Sequence, residues 1–268
     1  MPELPEVETV VRTLEKRLSD AEIRKVSVLY GKLVDTPDQK DFERMLEGEH
    51  FRKFGRRGKY ILITTDHYTW VSHLRMEGKF FVSKDDLTDK HTHLKVLLTD
   101  GRYLYYKDTR KFGRMELYKK DEEIAVIQKL GLEPFDPALT ADYLKKKAKN
   151  RPLKDVLLDQ TVIAGIGNIY ANEIAFAIRR RPSARFSRLS KREILYLIDE
   201  TRRILSEAIQ AGGTTIRSYN PEPGITGLFQ LNVNVHDREK EPCRICGTPV
   251  KKVMYHGRGT YYCMRCQK

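Results

Sequence analysis

Apolar residues recur at helical spacing through residues 3–18, where Val7, Val10, Val11, Leu14 and Leu18 fall on one stripe. That spacing predicts an opening helix. From about Lys25 to Lys119 the period becomes that of strands, in the runs KVSVLY, KYILITT, WVSHL, KFFVS, HLKVLLT, RYLYYKD and RMELY. Asp100-Gly101, between two of these runs, predicts a tight hairpin. One helix followed by many short strands implies a sandwich or barrel that carries a helix. From about Ile124 to Gly212 the pattern is helical. Ser190-x-x-Glu193 is a capping box opening a long amphipathic helix through Ile194, Leu197, Ile198, Ile204, Leu205 and Ile209. Gly212-Gly213 ends it, and the Pro- and Gly-rich run SYNPEPGITG (218–227) predicts a loop.

One helical stretch, PLKDVLLDQTVIAGIGNIYANEIAFAI, predicts a helix near 152–159, a turn at Gly165 and Gly167, and a second helix beginning at Asn168. Glycines followed by an Asn at a helix start leave N–H groups facing outward, a natural phosphate site. The same pattern also makes ordinary helix corners. Lys149, Arg151 and Lys154 just before it favour the phosphate reading.

Charge is unevenly placed along the 268 residues. Residues 1–142 carry 26 basic and 26 acidic side chains, whereas residues 143–203 carry a net +9 and residues 236–268 a net +5. A neutral half joined to a basic half suits a polyanion held mainly by the second, although a solvated basic face has the same composition. The start, MPELPEVETV, has no basic residue before an apolar run and does not read as a signal peptide. The longest weakly charged stretch, Thr161 to Ile178, contains Glu173, Asn168 and Asn172 and does not read as a bilayer span. A cytoplasmic location without membrane contact is the expectation.

All four cysteines lie near the C-terminus, as Cys243-x2-Cys246 and Cys263-x2-Cys266 with sixteen residues between the pairs. Two such pairs separated by a hairpin's length suit one tetrahedral zinc ion in a ribbon. Two disulfides are the alternative, disfavoured in a chain without a secretory signal. The stretch between reads as two strands, PVKKVMY and GTYYC, around a turn at His256-Gly257-Arg258-Gly259. Four thiolates leave no open coordination position, so the metal would be structural.

These residues converge on a family. MPELPEVET, GRRGKY (55–60), HLRMEGK (73–79), KDTRKFG (107–113), QTVIAGIGNIYANE (160–173), AGGTT (211–215) and the closing GRGTYYCMRCQK resemble bacterial formamidopyrimidine-DNA glycosylases in order along the whole chain. The resemblance implies an α+β multidomain protein. An N-terminal β-sandwich with an N-terminal helix (1–130) would precede a helical helix–two-turn–helix domain (131–217), a lesion-capping loop (218–233) and a C-terminal zinc-ribbon β-hairpin (234–268). It implies a monomeric, bifunctional DNA glycosylase/AP lyase that removes 8-oxoguanine and formamidopyrimidines from duplex DNA and nicks the strand, with one structural zinc and no organic cofactor.

By the same resemblance, Pro2 is the nucleophile once Met1 is removed, and Glu3 the general acid; on sequence alone both are also good first residues of a helix. Lys59 matches the phosphate-binding lysine that assists β-elimination, and Arg258 the arginine assigned to δ-elimination. Arginine gives up a proton with difficulty, so clamping the phosphates beside the lesion is the safer physical role for Arg258. His91, Arg110, Lys149 and Asn168 match DNA contacts, and His91 has His93 as a near neighbour. Met76, Arg110 and Phe112 match the trio that fills the void left by a flipped base. The loop Arg217 to Phe229 would cover that base.

Two places depart from the family pattern: Val235-His236-Asp237-Arg238 replaces a Tyr-Gly-Arg ending, and Arg179 to Arg181 stand where a helix usually ends in Gly and an apolar residue. The sister family, endonuclease VIII-like glycosylases for oxidised pyrimidines, usually has Gly where Leu4 stands here. A non-catalytic lesion-binding protein is the other alternative.

Overall fold

The computed structural model describes residues 1–212 and 233–268; the expected capping loop lies outside them, apart from Val233. Two compact units divide the described residues, 1–128 in the first, and 129–212 with 233–268 in the second.

The first unit opens with α1 (Leu4–Leu18), whose predicted stripe is buried. Nine strands follow: β1 (Ile23–Val28), β2 (Val34–Thr36), β3 (Lys53–Arg57), β4 (Tyr60–Thr64), β5 (Tyr68–His73), β6 (Lys79–Ser83), β7 (Thr92–Leu98), β8 (Tyr103–Lys107) and β9 (Arg114–Lys119). They form two sheets, in the orders β1-β7-β8-β6 and β2-β9-β5-β4-β3. Only β2 against β9 is parallel. Both sheets turn apolar side chains into one core, with Val26, Leu94, Val96 and Leu104 from the first meeting Ile61, Ile63, Trp70 and Met115 from the second. This is the expected sandwich with its helix.

Sequence periodicity missed β2, β3 and the two-turn helix α2 (Gln39–Leu46). Asp38 caps α2 by accepting from the Lys40 and Asp41 N–H groups, but only Phe42 and Leu46 are buried, too short a stripe to stand out among strands. Tertiary contact sustains it. Glu43 accepts the Val28 N–H at 2.7 Å, Glu47 the Val26 N–H at 3.2 Å, and Gln39 donates to Val28 O at 2.9 Å. These bonds satisfy the outer edge of β1 and close it to further pairing.

A short helix, α3 (Ala125–Gln128), ends the first unit. The second contains α4 (Ala141–Ala148), α5 (Leu153–Leu158), α6 (Asn168–Ala177), α7 (Lys191–Gln210) and the hairpin β10 (Lys251–Tyr255) with β11 (Arg258–Tyr262). The Ser190–Glu193 capping box opens α7 as expected. Helix α6 is buried on every side from Tyr170 to Phe176, so it is the central strut of this unit. Among the described residues, no helix is long and apolar enough to cross a membrane.

Candidate functional site

In the first unit, chemistry gathers at the start of α1. Pro2, Glu3 and Glu6 are buried there. Glu3 is the N-cap: the Glu6 carboxylate accepts the Glu3 N–H at 2.8 Å, and the Glu3 side chain accepts the Glu6 N–H in return. Lys59 lies in the two-residue turn between β3 and β4 and is only 6% exposed, unlike an ordinary lysine at a strand end. Beside it Arg56 donates to Gly58 O at 2.9 Å and pairs with Glu8 at 3.2 Å.

Burial pushes the Met1 amino group, next to Pro2, below its usual value, and Lys59 pushes the same way, while Glu3, Glu6 and Glu77 oppose. An amine, two carboxylates and a lysine thus share one poorly hydrated place. His73, not singled out from the sequence, belongs beside them. Burial, helped by Arg75 and Lys59, lowers its pKa to about 3, and its Nδ1 accepts the Arg75 N–H at 2.9 Å. The neutral ring packs edge-on to Tyr60.

Two loops of this unit carry the expected void-filling residues. Met76 is 37% and Phe112 48% exposed, so neither is core. The Arg110 guanidinium lies 4.9 Å from the Phe112 ring centroid. Buried Asp108 shapes their loop, accepting N–H groups from Arg110, Phe112 and Gly113 at 2.8–2.9 Å. Tyr106 packs against both loops: a Cβ on Gly78 would fall 2.0 Å from its hydroxyl, and one on Gly113 1.7 Å. Only glycine fits against the ring at either place. His91 is half-exposed before β7, whereas His93 is buried with Nε2 2.6 Å from Asp108 O. The outward histidine of the pair is therefore His91.

In the second unit, Asn168 opens α6 and its Nδ2 donates to Gly259 O at 3.0 Å. That bond sets Arg258 beside the N-terminus of α6, although 90 residues separate the two in the chain. The ribbon's turn is His256-Gly257 alone, both at positive φ; Arg258 is exposed and opens β11 opposite Tyr255. The four-residue turn read from the sequence is thus corrected to two. Lys149 is exposed at the C-cap of α4.

The other two basic residues near this motif differ from expectation. Arg151 pairs with Asp159 at 2.7 Å. Lys154 is fully buried, its Nζ donating to Asn172 Oδ1 (3.2 Å), Gly259 O (3.3 Å) and Thr260 Oγ1 (2.6 Å). It fastens α5, α6 and the ribbon together and offers nothing to solvent.

The ribbon is also held by Glu173, whose carboxylate accepts N–H groups from Asn234, Val235 and His236 at 2.7–2.9 Å. The two departures from the family pattern have a common geometry. Asp237 and Arg179 occupy positive-φ positions, the region glycine favours. Asp237 tolerates it and accepts the Tyr261 hydroxyl at 2.6 Å. His236 accepts from Asn172 Nδ2 at 2.8 Å, and burial together with Lys154 lowers its pKa to about 4, against Asp237.

The four cysteine sulfurs lie within 4.8 Å of one another. Zn–S bonds of ~2.3 Å at tetrahedral angles place sulfurs ~3.8 Å apart. Cys243 and Cys266 are 3.9 Å apart and Cys246 and Cys263 3.5 Å, which fits one zinc ion.

Residues 1–115 match the formamidopyrimidine-DNA glycosylase N-terminal domain, residues 130–220 the H2TH domain of that family, and residues 240–268 the zinc finger found in FPG and IleRS. The chain is 47% identical over 273 residues to a formamidopyrimidine-DNA glycosylase of Bacillus cereus, covering all of this chain and 99% of that one. It is similar to Lactococcus lactis Fpg in complex with abasic-site DNA, with a TM-score of 0.91, 37% identity and 99% of each chain covered. The wild-type Lactococcus lactis protein with N7-benzyl-Fapy-dG DNA is alike at a TM-score of 0.91, 36% identity and full coverage of both chains.

Proposed function

Because the chain belongs to the formamidopyrimidine-DNA glycosylase family, we propose that it excises oxidised purines from duplex DNA and then cuts the strand at the abasic site. The carrying observation is the buried start of α1, where Pro2 and Glu3 lie and where the Met1 amine that precedes Pro2 feels burial, Glu3 and Lys59 together.

With Met1 removed, Pro2 presents a secondary amine. Burial lowers an amine's pKa, so a larger fraction is neutral and nucleophilic near pH 7. Its nitrogen lone pair bonds to C1′ of the deoxyribose and the C1′–base bond breaks. The base leaves with its electron pair and is protonated, the proton coming by way of Glu3. Loss of the amine proton and opening of the sugar ring give an iminium. The iminium makes the C2′ proton acidic, and its removal expels the 3′ phosphate. Loss of the C4′ proton in a second elimination expels the 5′ phosphate, and water then hydrolyses the iminium to release the sugar remnant and restore the Pro2 amine. Lys59 steadies the phosphate at the first cut, and Arg258 with Asn168 and Lys149 grips the backbone.

Extruding a base leaves a hole in the stack. Met76 and Phe112, exposed on loops braced by Tyr106 and Asp108, suit filling it, with Arg110 meeting the orphaned partner base. His91 adds a backbone contact. Zinc supplies no chemistry here; bound to Cys243, Cys246, Cys263 and Cys266 it holds the hairpin that carries Arg258. Cysteines gathered around one metal position, not paired as disulfides, suit a reducing compartment, and we place the enzyme in the bacterial cytoplasm on nucleoid DNA.

Incubation with an 8-oxoguanine duplex and borohydride tests this. A reduced adduct mapped to Pro2 on a chain lacking Met1, absent in Pro2→Gly, is the expected result. Tight binding by a Met1-free chain without any adduct would instead mark a non-catalytic lesion binder. Faster turnover of an oxidised-pyrimidine duplex in the same tube would overturn the purine assignment.

A further inference from the structure

The C-terminal end of α6 opens into a cavity of about 410 Å³ that none of the proposed chemistry uses. Five cations line it: Arg180, Arg181, Arg185, Arg188 and Lys268. Their backbone is tightly tied. Arg181 N–H donates to Lys268 O and Lys268 N–H to Arg179 O at 3.0–3.1 Å, which draws the last residues against the end of α6. Leu153 N–H donates to Ala184 O at 2.8 Å and Phe186 N–H to Arg151 O at 2.9 Å, which fixes the opposite wall. Phe186 and Leu189 are buried anchors between the arginines.

Few anions oppose this charge. Glu193 takes the Arg180 guanidinium through both Nε and Nη2. Arg181, Arg185, Arg188 and Lys268 have no carboxylate side-chain partner among the described residues. Even with a charged carboxyl group on Lys268, five cations face two anions. The chain reaches this arrangement through Arg179 at a positive φ, which a glycine would occupy with less strain.

We propose that this cavity is a binding site for a multiply charged phosphate group, separate from the DNA contacts at the start of α6. Guanidinium forks match the tetrahedral oxygens of phosphate better than a lone carboxylate, and donors remain here after Arg181 Nε gives to Gln267 O at 3.3 Å and Arg185 Nη1 to Asn150 O at 3.1 Å. The ten residues of α6 place the cavity about 15 Å along the helix from Asn168, at a rise of ~1.5 Å per residue. The phosphate is supplied either by a small phosphate compound or by backbone remote from the lesion.

Isothermal titration of the zinc-loaded full chain with pyrophosphate tests the site. The expected result is saturable one-site binding, weakened at least roughly tenfold in Arg185→Gln/Arg188→Gln. Ser183→Glu, which puts a carboxylate into the same lining without removing an arginine, should abolish it. Arg258→Gln should leave it unchanged. Repeating the titration on protein saturated with lesion duplex separates the sources: loss of pyrophosphate binding assigns the site to DNA backbone, retention to a small phosphate compound. Wild-type affinity in both cavity variants, or loss of binding in Arg258→Gln, would overturn the proposal.

Discussion

Glu173→Gln isolates how much the ribbon depends on one carboxylate. Glu173 is 3% exposed, and each of its oxygens accepts two bonds: Oε1 from Val235 and His236 N–H, Oε2 from the N–H and Nδ2 of Asn234. Glutamine has nearly the same shape but keeps only one acceptor oxygen. Its NH2 group would meet the two Asn234 donors head-on, while the remaining two bonds lose their charge assistance. Hydrogen bonds to a charged group contribute ~1.5–3 kcal/mol each. Losing two and weakening two, less the relief of no longer burying a charge, destabilises the second unit by about 3–4 kcal/mol. With an m-value of ~2 kcal/mol per molar urea, the unfolding midpoint of that unit falls by about 1.5–2 M. The same variant should lose zinc faster to a coloured chelator, because segment 234–236 leads into the first cysteine pair. A midpoint within about 0.3 M of wild type, with unchanged zinc release, would refute the view that Glu173 clamps the ribbon.

Three further outcomes follow from the same geometry. Removing zinc, or Cys246→Ser, should weaken lesion-DNA affinity by disordering the hairpin that carries Arg258; unchanged affinity by fluorescence anisotropy would make the ribbon dispensable for binding. His236 has a folded pKa near 4, below its ordinary 6.5, so between these values the unfolded chain binds a proton that the folded chain refuses. Stability from this group is therefore full above about pH 6.5 and lost as pH falls towards 4, and His236→Gln should shrink the difference between pH 7 and pH 5 by about 1–2 kcal/mol in urea titrations. Arg179→Gly should raise stability by about 1 kcal/mol, because it removes a side chain from a left-handed backbone position; a lower melting temperature would show that the Arg179 side chain contributes more than its conformation costs.

What could be read from residues alone were the features whose causes lie within a few positions of one another. The stripe of α1, the Asp100-Gly101 hairpin, the Ser190–Glu193 box and the Cys-x2-Cys spacing are short-range, since a helical turn or a metal bite spans only three or four residues. Motif order along the chain added the family and, with it, candidates for each chemical role. Which cations are buried was not legible, because a lysine's burial depends on acceptors that arrive from elsewhere. Lys154 looked like part of a basic surface until Thr260, 106 positions away, supplied its hydroxyl. Lys59 looked like a strand end, and only tertiary packing encloses it. The pairing of Asn168 with Gly259 across 91 positions, the Glu173 clamp and the arginine-lined cavity have the same origin. Burial and charge convergence are properties of segments distant in the chain and adjacent in space, so the fold had to form before either was settled.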